Sequence, residues 1–95
     1  MRARHFDIVL RNDFVHGIFV DQPNIIEGQI VQESLCEFTV KVVTTKNFSE
    51  DDISNIRNRM IQRLGSGIEI KVEQVNNIPR TTAGKFKAVI SKVNQ

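Results

Sequence analysis

The sequence predicts a small α+β sandwich, in which an N-terminal β-hairpin and a mainly antiparallel sheet pack with about two helices. Three observations carry that prediction. Residues 37–43 place Phe38, Val40 and Val42 in alternation with Thr39 and Lys41, the period of two of a strand with one buried face. Residues 53–64 change period, with Ile53, Ile56, Met60 and Leu64 recurring at helical spacing. Residues 67–75 return to alternation, setting Ile68, Ile70 and Val72 against Glu69, Lys71 and Glu73. At 95 residues the chain is long enough for one modest core but not for a second, so residues 1–95 are read as one domain.

Taken in order, Met1 to His5 is basic and unpatterned and reads as a linker; residues 1–8 are expected to be a hinge or linker remnant. Phe6 to Leu10 reads as a strand, Arg11-Asn12-Asp13 as a turn, and Phe14 to Val20 as the second strand of a hairpin. Gly17 within that second run suggests a bulge or a close backbone approach. Asp21 to Gly28 contains Pro23 and Asn24 and is expected to turn, with a helical turn at Asn24 to Glu27. Gln29 to Leu35 and Glu37 to Val43 form the clearest strand pair, and the link at Ser34 to Glu37 is short enough for an antiparallel connection.

Ser49-Glu50-Asp51-Asp52 opens the helix with a capping serine followed by acids that suit the positive end of its dipole. Arg57, Arg59 and Arg63 lie off its apolar face, and Gly65 ends it. After the Gly67 to Val75 strand, Asn76-Asn77 breaks the pattern. A polar loop then runs from Pro79 to Lys85. Phe86, Val89, Ile90 and Val93 recur at helical spacing and predict a short closing helix, with a strand as the alternative.

Composition narrows the function classes. Apolar residues are 40% and charged residues 25% of the chain, the balance of a globular domain. No apolar run approaches the length of a membrane span, and the N-terminus lacks the apolar core of a secretory signal, so a cytoplasmic location without membrane attachment is expected. The single cysteine, Cys36, excludes an internal disulfide and a multi-cysteine metal site; it reads as a small buried apolar residue. His5 and His16 are too far apart for a local ligand pair, and no metal site is expected. The net charge of +2 hides an asymmetry: residues 1–55 hold 5 Lys/Arg and 9 Asp/Glu, whereas residues 56–95 hold 8 and 2. The basic half has the sign for an anionic partner, which opens the alternative of a free-standing module that binds nucleic acid or an acidic protein. The absence of Trp and Tyr, with most of the six Phe at positions that fit a core, argues against base stacking and makes nucleic acid the less favoured partner.

The 79–85 loop carries the chemistry. Its Gly84-Lys85 pair invites a phosphate-cradling reading, but that pattern needs glycine at 79 and Ser or Thr at 86, where Pro79 and Phe86 stand. Neither a Ser/His/Asp set nor an H-E-x-x-H pattern is present. Glu69 and Glu73, four apart on one strand face, read as surface. Arg80, Lys87 and Lys92 read as solvated, and His16 as hairpin surface.

Ile78-Pro79-Arg80-Thr81-Thr82-Ala83-Gly84-Lys85 resembles the P-x-x-x-x-G-K signature that closes the adenylate-forming enzymes, the acyl-CoA synthetase superfamily. Phe86 to Val93, Gln29 to Gln32 and the Phe38 to Val43 strand are similar to one branch, the phenylacetate–CoA ligase-like proteins and their capsule-biosynthesis relatives. The resemblance spans the chain and implies the C-terminal lid domain of a larger ATP-dependent, AMP-forming acyl or aryl acid–CoA ligase. It implies that Lys85 is the adenylation lysine, bridging a substrate carboxylate and the α-phosphate of ATP, with Thr81, Thr82 and Gly84 shaping its loop. A compact ammonium in a water-poor cleft stabilises developing anionic charge more than it does in bulk water. The domain is then expected to rotate and present its hairpin face for thioester formation. The family's hinge motif, G-R-x-D-D, stands here as Ala3-Arg4-His5-Phe6-Asp7, which carries over Arg4 and Asp7 only. ATP with Mg2+ and coenzyme A are expected to be bound mainly by the large N-terminal adenylation domain, the implied partner together with a carboxylic acid. This chain alone is expected to be inactive.

Overall fold

A computed structural model of the protein describes residues 12–79 and 89–91. Their elements run α1 (Asn12–Phe19), β1 (Ile25–Ser34), β2 (Glu37–Thr44), α2 (Glu50–Leu64), β3 (Glu69–Gln74) and β4 (Val89–Ser91). The strands form one sheet in the order β3-β2-β1-β4. The α+β class therefore holds, with a different sheet. β1 and β2 are antiparallel, but β4 runs parallel to β1 and β3 parallel to β2, so the sheet is mixed rather than mainly antiparallel.

The strand pair expected around residues 29–43 is its centre. Ser34 opposes Glu37, and Leu35-Cys36 makes the turn. Cys36 is exposed there, not buried as its residue type suggested; its carbonyl accepts the Glu69 N–H at 2.7 Å and so aligns the start of β3. β1 begins earlier than expected, at Ile25, because Asn24 accepts the Thr45 N–H at 2.9 Å and carries the pairing past Gly28. No helical turn forms at residues 24–27.

α2 follows its sequence signals closely. The Ser49 carbonyl accepts the Asp52 and Ile53 N–H groups, and the Asp52 carboxylate accepts the Ser49 N–H at 3.0 Å. At the other end Gly65 has φ 94°, a conformation open to glycine and strained for other residues, and its N–H bonds the Ile61 carbonyl at 2.8 Å. Ile56, Met60 and Leu64 are buried against the sheet, while Ile53 is half-buried.

The core lies between the helices and one sheet face. Phe14, Val15 and Ile18 of α1 meet Ile30, Phe38, Val40, Val42 and Ile70 of the sheet beneath Ile56, Met60 and Leu64. Fully burying each large apolar side chain contributes about 1.5–3 kcal/mol. The opposite face is also buried along its centre, at Gln29, Val31 and Thr39, positions that pair as Gln29 with Lys41 and Val31 with Thr39.

Two elements differ in kind from the sequence reading. Residues 14–20 are not the second strand of a hairpin; 12–19 are helical. Phe14, Val15 and Ile18 fall at i, i+1 and i+4, one helical face, and burying that face decides the conformation. Gly17 is accordingly a helical residue and not a strand bulge. Residues 89–91 form β4 rather than part of a closing helix, because Val89, Ile90 and Ser91 pair with Ile30, Val31 and Gln32. The proposed first strand, Phe6 to Leu10, lies outside the described residues.

Candidate functional site

The 79–85 loop leaves the sheet at the end where β1 starts and β2 and β3 finish. Val75 donates its N–H to the Val42 carbonyl at 2.8 Å, the last hydrogen bond that holds the chain to β2. Asn76 and Asn77 are exposed, Ile78 is buried and Pro79 is exposed again. Ile78 thus anchors the root of the loop while the residues on either side face solvent. Val89, on the far side of the undescribed 80–88 stretch, pairs with Ile30 of β1.

A shallow groove opens at this root, lined by Ile26, Glu27, Val43, Asn76, Asn77, Ile78 and Pro79. Glu27 opposes Val43 in the ladder, on the sheet face turned away from the helices. Ile26 owes its position to a shift of register between Ile25 and Glu27, where two β1 residues pass while β2 advances one. The bulge leaves Ile26 62% exposed and returns Gly28 to the helix side. Its sequence signal is slight, since Ile25-Ile26 reads equally well as two core residues.

Behind the groove the strand ends are fixed by Asn24. Its side-chain carbonyl accepts the Thr45 hydroxyl at 3.1 Å, and its amide donates to the Asn47 carbonyl at 3.3 Å and to the Asp52 carboxylate at 3.2 Å. One side chain therefore ties the start of β1, the end of β2 and the N-terminus of α2. Read locally, Asn24 marks a turn and the start of a helical turn; partners more than twenty positions away leave no local signal.

All six residues singled out from the sequence, Lys85, Thr81, Thr82, Gly84, Arg4 and Asp7, lie outside the described residues. The described part of the groove contains a single charged side chain, the carboxylate of Glu27. Among the described residues it offers a polyphosphate no counter-charge. Among the described residues no group of three His, Cys, Asp or Glu is placed to hold a metal ion. No helix among them is long and apolar enough to cross a membrane.

The opposite end of the sheet is also acidic. Glu33, Glu37 and Glu69 surround a hollow with Lys71, floored by Phe38, Thr39 and Ile70. The Thr39 hydroxyl donates to Glu33 at 3.0 Å and the Ser34 hydroxyl to Glu37 at 2.9 Å. Lys71 pairs with Glu73 at 3.1 Å, which agrees with a surface role for the β3 acids.

Residues 7–92 match the CapK C-terminal domain family, and the match runs through the whole sheet, both helices and the loop. The chain belongs to that family. No curated protein matches the chain significantly. As a CapK C-terminal domain it has a larger partner domain implied by the family's own description, and the resemblance to the capsule-biosynthesis branch is met at that level.

Proposed function

We propose that this CapK C-terminal domain is the lid of an ATP-dependent, AMP-forming acyl or aryl acid–CoA ligase that resembles phenylacetate–CoA ligase. Lys85 is its adenylation lysine. The observation that carries the reading is the Pro79-Arg80-Thr81-Thr82-Ala83-Gly84-Lys85 signature, set directly after a buried anchor, Ile78, at one end of a packed sheet. An anchored root restricts where the loop can go, and restricting a cation to one cleft is what electrostatic stabilisation of a leaving pyrophosphate requires. In this reading Lys85 faces the substrate carboxylate and the α-phosphate, and Gly84 allows close backbone approach. ATP, Mg2+ and coenzyme A are held mainly by the large domain. The carboxylate-bearing groove described above agrees with that division, because its described residues supply no positive charge for a nucleotide.

The alternative, a basic module for nucleic acid or an acidic protein, loses ground for a specific reason. Arg59, one of the helix arginines that make the second half of the chain basic, is turned onto the Ile18 and Val20 backbone carbonyls at and just past the end of α1 instead of outward.

The test joins the domain to its upstream adenylation domain and follows acid-dependent ATP–pyrophosphate exchange. Lys85→Ala is expected to lower exchange by about a hundredfold or more, in the range for removing a positioned charge stabiliser. Exchange at the wild-type rate would show that the lysine has no part in adenylation.

A further inference from the structure

α1 is eight residues long, below the length at which an isolated helix is stable in water. It leans on α2 through apolar contacts and through two arginines, of which Arg59 makes the hydrogen bonds. Arg59 Nη1 donates to the Ile18 carbonyl at 3.1 Å, to the Gly17 carbonyl at 3.4 Å and, at short range, to the Val20 carbonyl. These acceptors sit at the C-terminal end of α1, where helix carbonyls lack intrahelical partners and the dipole is negative. Arg63 adds to the arrangement: its guanidinium passes over Gly17 and donates to the Arg59 carbonyl at 3.3 Å. On the far side Gln22, buried, donates to the same Ile18 carbonyl at 2.8 Å. The chain then turns through Asp21 at φ 62° toward β1.

We infer that Arg59 is a clamp that holds the last turn of α1 onto α2, so that the end of α1 opens locally only when that clamp is lost. The clamp does not depend on the ligase-lid reading. Without Arg59, the last turn of α1 keeps its apolar contacts but loses a charged donor shared by up to three carbonyls. It should then open locally while the sheet stays closed.

Backbone amide hydrogen exchange on the 95-residue chain tests this. In wild type the amides from His16 to Val20 should be protected to a degree comparable with those of α2. In Arg59→Met, which keeps the apolar stem, those amides should exchange at least about tenfold faster while β1 and β2 amides do not change, tenfold being what loss of one charge-assisted hydrogen bond corresponds to. Arg59→Lys, a single point donor on a thinner stem, should fall between the two. Unchanged exchange in Arg59→Met, or equal acceleration in α1, β1 and β2, would overturn the clamp. Both outcomes are independent of pyrophosphate exchange, so failure of the clamp and failure of the ligase reading are distinguishable.

Discussion

Two glycines show how the same substitution acquires opposite signs from its neighbours. A methyl group on Gly28 would stand 2.4–2.8 Å from three atoms of the Phe19 ring, and that ring is itself packed against the core. The ring must move, and overpacking of this kind costs about 1–3 kcal/mol. A methyl group on Gly17 would meet Arg63 Nη2 at 2.9 Å, but this is the tip of an exposed, flexible side chain that can swing aside. There the gain in helix propensity, about 1 kcal/mol, is left largely intact. Urea denaturation is therefore expected to show Gly28→Ala destabilised and Gly17→Ala stable or slightly stabilised. Two variants of equal stability would mean that the Phe19 ring does not pack over Gly28. Combining Gly28→Ala with Phe19→Ala should cost less than the sum of the single changes, because the clash disappears with the ring.

At the scale of elements, what was legible in the sequence is what local residues decide. α2 was read to within a residue because its start and stop are written in adjacent positions, Ser49 to Asp52 and Gly65. The β1–β2 pair was legible because alternation and a short turn lie within one stretch. α1 was misread because Phe-Val-His-Gly-Ile-Phe-Val is short and apolar, a run that suits strand and helix alike until a partner surface selects one face. β4 was misread for the same reason: three residues became a strand by pairing with β1, almost sixty positions away. The parallel pairings of β3 and β4 have no local signature at all. Asn24 belongs to this non-local class, and its contribution is measurable. Asn24→Ala removes three side-chain hydrogen bonds, two of them part-buried, and is expected to cost about 1–3 kcal/mol in thermal or denaturant unfolding. Loss of under a few tenths of a kcal/mol would mean that water replaces those bonds without penalty.

At the scale of the whole molecule, the candidate site was legible only as a sequence motif. Lys85, its loop neighbours and the Arg4 and Asp7 pair fall outside the described residues, so the fold supplies only the root of the loop, anchored at Ile78. The ligase-lid reading carries a prediction about rotation. In that reading the pivot between an adenylating and a thioester-forming arrangement is expected around Arg4 and Asp7, where the resemblance puts the hinge. Proline fixes φ and removes a donor, so a proline there restricts rotation without touching Lys85. In the domain joined to its upstream region, Asp7→Pro is expected to slow one half-reaction by about tenfold more than the other. Adenylation is read by pyrophosphate exchange, and thioester formation by single-turnover reaction of preformed acyl-adenylate with coenzyme A. Equal losses in both would place the pivot elsewhere, while unequal losses that Arg59→Met relieves would tie the pivot to a rigid α1 behind it.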